Sequence, residues 1–233
     1  NRGRCMRIYF DGCAKTAGFN KINDTFDRYS KLLSDKLGAE EYNIAVRNGS
    51  NKRIIRNLLE HDLSKFDLFV IQMTKRRRFE VYNKKAEKWI SIGYDTRIKD
   101  DKKINYIVRT DETGQIVKHM MSGDDIITTN ESWQIKNNTS DDVKEMIRYL
   151  FYYFDNINTE EQAKIDEMMC FHTIKSILKE HKHIIIWIGD DDCDAPVDLK
   201  LKKGENYITG WYFGADKHKL IYQDILERYE NIL

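Results

Sequence analysis

The sequence predicts an α/β protein built on a mainly parallel sheet, and three observations point there. Apolar runs of strand length recur at 7–10, 42–46, 67–74 and 183–188. Amphipathic segments with helical spacing separate the first three runs. The connections are too long for hairpins, so strand, helix, strand, helix, strand reads as right-handed βαβ crossovers.

The first strand, Arg7-Ile8-Tyr9-Phe10, breaks into Asp11-Gly12-Cys13-Ala14-Lys15-Thr16-Ala17-Gly18, where two glycines permit a tight turn. In a parallel α/β sheet such a junction lies at the carboxyl edge, where ligands bind. The residue presented there is Ala14, which carries no chemistry. Residues 27–37 then place Tyr29, Leu32, Leu33 and Leu37 on one helical face, with Gly38 as the stop. After the short strand at 42–46, Arg47-Asn48-Gly49-Ser50-Asn51 forms a turn in which Ser50 or Asn51 caps the next helix. That helix, over 53–61, carries Ile54, Ile55, Leu58 and Leu59 on one face. The run at 67–74 is apolar almost throughout, as suits a central strand.

From 75 to 142 the chain is polar and turn-rich, and it reads as an insertion with a β-like run at 105–108. Ser140-Asp141-Asp142 caps a helix rich in Tyr and Phe through 154, and Thr159-Glu160-Glu161-Gln162 opens a longer helix to about 181. The fourth strand at 183–188 ends on Gly189-Asp190-Asp191-Asp192, and residues 219–233 form a terminal helix.

Composition narrows the function classes. A chain of 233 residues is compatible with a single domain, here expected over 6–233, with Met6 as the native start and residues 1–5 as a remnant of handling. Charged residues make up 33% of the chain but cancel to +1, which gives no global case for nucleic acid or an anionic membrane. Lys75-Arg76-Arg77-Arg78 reads as a solvated loop beside Glu80, not as a nucleic-acid site. No apolar run approaches the roughly 20 residues that span a bilayer, and no apolar signal-peptide segment is visible. The four cysteines have no metal-ligand spacing and read as free thiols in a reducing compartment. Asp190, Asp191, Asp192 and Asp194 form an acidic knot that fits no calcium loop. Neither a metal nor a cofactor is expected.

Gly12-Cys13-Ala14-Lys15-Thr16-Ala17-Gly18 resembles the first block of the SGNH (GDSL-like) hydrolase family, Gly-Cys-Ser-x-Thr-x-Gly, everywhere except the serine. The likeness is to small viral, phage and bacterial members. The stretch at 43–51 is similar to the second block, with Gly49 at the oxyanion-hole glycine, and 67–78 stands in the place of the third. Gly214-Ala215-Asp216-Lys217-His218 is similar to the last block, which supplies the acid and the base. The resemblance implies a three-layer α/β/α sandwich with flavodoxin-like topology and an ester- or acetyl-cleaving hydrolase. It further implies an acylated carbohydrate, a glycan or a small ester as substrate, and a cytoplasmic or virion-associated setting.

In such an enzyme an imidazole takes the serine proton, a carboxylate holds the imidazole, and backbone N–H groups meet the developing oxyanion. The resemblance therefore assigns the nucleophile position to Ala14, the base to His218 and the orienting acid to Asp216. Gly49, Asn51 and Thr74 are the oxyanion-hole candidates. Cys13 points away from the presented residue and reads as a structural thiol. The chain departs from the family three times: Ala14 replaces the nucleophile, no asparagine follows Met73, and the terminal block is one residue short and lacks a proline. A serine-to-alanine replacement explains the first departure, and a naturally degenerate pseudoenzyme explains all three. A non-catalytic binding or structural protein that keeps the fold is the rival expectation.

Overall fold

The structure is a computed structural model, and it describes residues 4–18, 28–84, 87–99, 102–110, 115–122, 125–130, 134–135, 139–189, 193–202 and 215–230. In chain order the elements are β1 (Arg7–Asp11), α1 (Ala14–Ala17), α2 (Tyr29–Lys36), β2 (Glu40–Asn43), α3 (Asn51–Glu60) and β3 (Leu68–Met73). Then come β4 (Arg78–Asn83), β5 (Lys88–Lys99), β6 (Lys102–Thr110), β7 (Ile116–Ser122), β8 (Asp125–Asn130) and α4 (Asp141–Tyr152). The chain ends with α5 (Glu160–Ile177), β9 (His183–Gly189), β10 (Leu199–Lys202) and α6 (Ala215–Glu230). It divides into two compact units, Asn1–Lys75 with Glu167–Leu233, and Arg76–Asp166.

The first unit is built on a parallel sheet in the order β10-β9-β3-β1-β2. Counted along this unit alone, that is the 2-1-3-4-5 order of a doubly wound fold, with its reversal point between β1 and β3. Phe10 pairs with Asn43 on one side and with Val70 on the other. All six residues of β3 are buried, as a central strand requires. Alternate side chains supply two cores. Tyr9, Phe69, Ile71, Ile185 and Trp187 meet Ile54 and Leu58 of α3 and Phe171 and Ile174 of α5. Ile8, Phe10, Val70, Ile184 and Ile186 meet Tyr29 and Leu33 of α2 and Ile221 and Ile225 of α6.

Several boundaries differ from the sequence expectation for local reasons. The second strand runs over Glu40–Asn43 and not 42–46, because Ile44, Ala45 and Val46 have already left the sheet. Leu199-Lys200-Leu201-Lys202 was not anticipated as a strand; it is a four-residue edge strand whose alternating lysines leave only a short apolar signal. The terminal helix begins at Ala215, a full turn before 219.

The second unit shows that the segment expected as irregular is an antiparallel meander in the order β4-β5-β6-β7-β8. Ile90, Ile92, Ile107 and Ile126 pack against Ile147, Leu150 and Phe151 of α4 and against Phe154 in the π turn Tyr153–Ile157. The unit reaches Asp166 and takes in α4, so it extends well past the expected limit at 142. Two members of the basic cluster have structural work. Arg77 donates to the carbonyl oxygens of Phe154 and Asn158 at 2.7 Å each, and its guanidinium lies 4.9 Å from the Tyr94 ring centroid. Arg76 pairs with Glu160 at 2.6 Å. Among the described residues, no helix is long and apolar enough to cross a membrane.

His119 of β7 is fully buried in this sheet. Arg109 Nε donates to His119 Nε2 at 3.0 Å. An arginine cannot accept, so the imidazole proton sits on Nδ1 and is donated to Thr128 Oγ1, 2.9 Å away. Burial, reinforced by the Arg109 charge, holds His119 down at about 3. The unfolded chain takes up this proton first, so the stabilisation is intact above about pH 6.5 and drains as pH falls toward the folded value. Urea unfolding followed by a probe in this unit should lose up to about 1.4 kcal/mol per pH unit below pH 6. His119→Gln should flatten that slope.

Candidate functional site

The reversal point of the parallel sheet puts the ends of β1 and β3 side by side, and a dense set of buried polar groups gathers there. β1 ends on Asp11, whose carboxylate is buried. Arg53 Nη1 donates to Asp11 Oδ1 at 2.6 Å, Asn57 Nδ2 to Oδ2 at 2.8 Å, and the Gly12 N–H to Oδ1 at 2.7 Å. Arg53 and Asn57 stand one turn apart on α3 and so reach the same point. Arg53 Nη2 also donates to the Ile44 carbonyl at 2.6 Å. Burial raises the Asp11 carboxyl above the usual range, while Arg53, Asn57 and the Gly12 N–H act the other way.

The turn after Asp11 is templated by Gln72 of β3. Gln72 Oε1 accepts from Thr16 Oγ1 at 2.6 Å and from the Cys13 N–H at 3.4 Å, and Gln72 Nε2 donates to Cys13 Sγ at 3.2 Å. Gly12, at φ 155°, lies so close that an added Cβ would stand 2.7 Å from the Cβ of Gln72. Cys13 starts the four-residue α1, and Gly18 closes it in a left-handed conformation at φ 72°. Cys13 is buried and Ala14 is half-buried. Lys15 Nζ donates to the Ile188 carbonyl at 2.5 Å and so links this turn to the end of β9.

The second turn abuts the first. A Cβ on Gly49 would fall 2.5 Å from the Gly12 carbonyl oxygen. The Gly49 N–H donates to the Val46 carbonyl at 3.2 Å. Ser50 caps α3 by accepting from the Arg53 N–H at 3.1 Å, and Asn51 is the first residue of the helix. Asn51 Oδ1 accepts from the N–H of Thr74 at 2.7 Å and from its hydroxyl at 3.1 Å, while Asn51 Nδ2 donates to the Thr74 carbonyl at 3.2 Å. The two outer oxyanion candidates are thus bonded to each other.

His218, in the first turn of α6, is buried and reaches the Ala14 turn through Tyr29. The two rings are stacked with centroids 6.1 Å apart, and Tyr29 Oη lies 2.7 Å from Thr16 Oγ1. His218 Nδ1 accepts the Tyr29 N–H at 3.2 Å and so caps the first turn of α2 from outside that helix. A neutral ring in this state carries its proton on Nε2. Asp216 stands two residues earlier on α6, and its side chain lies outside the described residues.

The structure thus sets the turn that carries Ala14 against the Gly49 turn, bonds Asn51 to Thr74 just past the end of β3, and links His218 to Thr16 through Tyr29. Sequence reasoning missed Gln72, Arg53 and Asn57. A lone glutamine in the otherwise apolar run Leu68–Met73 was a readable signal. So were an arginine and an asparagine four apart beside the apolar face of α3. The acidic knot at 190–192 lies outside the described residues, and Asp194 is exposed. Among the described residues, no three potential metal ligands cluster.

Two substitutions test this geometry. Arg53→Met leaves the buried Asp11 carboxylate without its cation and should cost about 3–5 kcal/mol in denaturant unfolding, much of it recovered in the Asp11→Asn/Arg53→Met pair. Gly49→Ala drives a methyl group into the Gly12 carbonyl and should cost about 1–3 kcal/mol. No protein-family model and no curated protein matches the chain.

Proposed function

We propose that the parallel unit is an SGNH-like ester hydrolase scaffold, a three-layer α/β/α arrangement in which Ala14 occupies the position of the serine nucleophile. The observation that carries this reading is the convergence of the Gly12–Gly18 turn, the Gly49 turn and the Tyr29–His218 pair at the reversal point of the sheet. Substrates of this reading are acylated carbohydrates or small esters. With a methyl group at position 14 the site retains an ester without attacking it, since loss of a triad nucleophile removes several orders of magnitude in turnover.

A restored serine hydroxyl would attack the ester carbonyl carbon and pass its proton to His218 Nε2; the C–O bond to the alcohol then breaks as that proton goes to the departing alcohol, and water cleaves the acyl-serine to the free acid. For that, Nε2 has to be the unprotonated nitrogen. His218 Nδ1 must then exchange its bond from the Tyr29 N–H for a proton of its own, with Asp216 as the acceptor that favours the exchange.

That same Tyr29–His218 bond favours a second reading, a non-catalytic binding protein in which His218 is a helix cap. Ala14→Ser separates the two. On p-nitrophenyl acetate the hydrolase reading expects at least about a hundredfold gain over the parent chain, abolished again by His218→Asn. No gain in a folded variant overturns it and leaves the binding reading.

A further inference from the structure

His119 stands where two seams of the antiparallel sheet meet. On one side β7 pairs with β8 along Val117–Ser122 and Asp125–Asn130. On the other it pairs with β6 only over Ile116–His119 and Ile107–Thr110, and His119 opposite Ile107 is the last pair of that seam. β6 is joined to β5 much further, from Lys102 to Arg109. Among the described residues, the β7–β8 hairpin is thus attached to the rest of the sheet by its shortest seam. One side-chain bond crosses it, from Arg109 Nε of β6 to His119 Nε2 at 3.0 Å. The ring then donates from Nδ1 to Thr128 Oγ1 of β8, which also accepts from Thr139 Oγ1 at 2.6 Å.

This arrangement has no place for a second imidazole proton. A proton on Nε2 would face the N–H of Arg109, a donor against a donor and one positive charge against another. Arg109 has further contacts of its own, so it does not turn aside without loss. Among the described residues, no carboxylate packed around the ring offsets the added charge. His119 shares its face of the sheet with Ile107, and α4 turns Ile147, Leu150 and Phe151 toward that face. The charged residues of α4 look elsewhere: Asp141, Asp142, Glu145 and Arg148 are exposed, and the half-buried Lys144 pairs with Asp141 at 3.3 Å. Tyr94 of β5 keeps its hydroxyl on the exposed Asp155 at 2.6 Å. Strand alternation puts Asp95, Lys118 and Asp125 on the opposite face. Protonation therefore requires the ring to leave its position.

We infer that His119 is an acid trigger: on taking up a proton it gives up Arg109 and releases the β7–β8 hairpin from β6, while β4, β5 and β6 stay paired. The acid-dependent loss of stability expected of this unit is thereby assigned to one seam. Opening it uncovers Ile107 and Val117, which the closed sheet buries. The closed ring is held down at about 3, whereas a ring in water titrates near 6.5. The open form therefore gains about tenfold over the closed form for each pH unit of acidification between those values. Above that window the hairpin stays docked.

Hydrogen exchange on the full chain, corrected for the intrinsic pH dependence of amide exchange, tests the inference. Between about pH 6 and 4.5, protection of the β7 and β8 amides should fall about tenfold per pH unit, and that of the β5 amides much less. Binding of the dye ANS should rise over the same range. His119→Gln, whose side chain stays neutral, should hold hairpin protection level with pH and leave the amides of β1 and β3 as in the parent. A loss of protection spread evenly over β4 to β8, or a slope that survives His119→Gln, overturns the inference. Should the variant fail to fold, the ring resonances of His119 in the parent decide. A neutral ring wherever the hairpin is closed supports the trigger, and protonation near pH 6.5 with the hairpin still protected overturns it.

Discussion

Asp11 ends the first strand with a carboxylate that water does not reach, so its charge has to be met from within the fold. Arg53, Asn57 and the N–H of Gly12 meet it. Because Arg53 and Asn57 are one turn apart on α3, satisfying both bonds sets the rotation of that helix about its axis. The second nitrogen of Arg53 holds the Ile44 carbonyl, where the chain has just left β2. A buried ion pair of this kind adds little net stability against an apolar replacement, yet it does not tolerate the loss of one partner. Its effect is to leave one arrangement of β1, α3 and the β2 exit in which every buried charge is paired. The apolar faces alone would accept several.

Beyond that pair, the polar groups at the ends of β1 and β3 already bond one another. Gln72 shapes the turn that presents Ala14, Asn51 and Thr74 close on each other, and Tyr29 stands between Thr16 and His218. Satisfied buried networks rigidify their surroundings, because any displacement costs an uncompensated polar group. The same economy is in tension with acid–base chemistry, since the nitrogen of His218 that a catalytic acid would orient already accepts the N–H of Tyr29.

Much of this was legible along the chain. The apolar runs at β1, β3 and β9 and the amphipathic faces of α2 and α3 announce themselves because buried strands and two-sided helices need those periods. Ser50 at the cap of α3 and the glycines of the first turn follow from local backbone demands that any context would impose. The middle of the chain resisted because its strands alternate isoleucines with charged or polar neighbours over short stretches, as in Lys103-Ile104-Asn105, and that signal is weak beside the flanking lysines. The short strand β10 was lost for the same reason.

The order of elements along the chain, the apolar character of β3 and the glycines of the small turn that carries Ala14 were determined by the sequence itself, since each depends on residues within a few positions of one another. Which polar groups share a bond was decided only in three dimensions. Gln72 reaches Cys13 and Thr16 from nearly sixty positions away, and His218 reaches Tyr29 across 189. Whether a lone glutamine, arginine or histidine is a reactive group or a strut depends on the partner that burial supplies. That partner comes from sheet order and helix rotation, which no local pattern encodes.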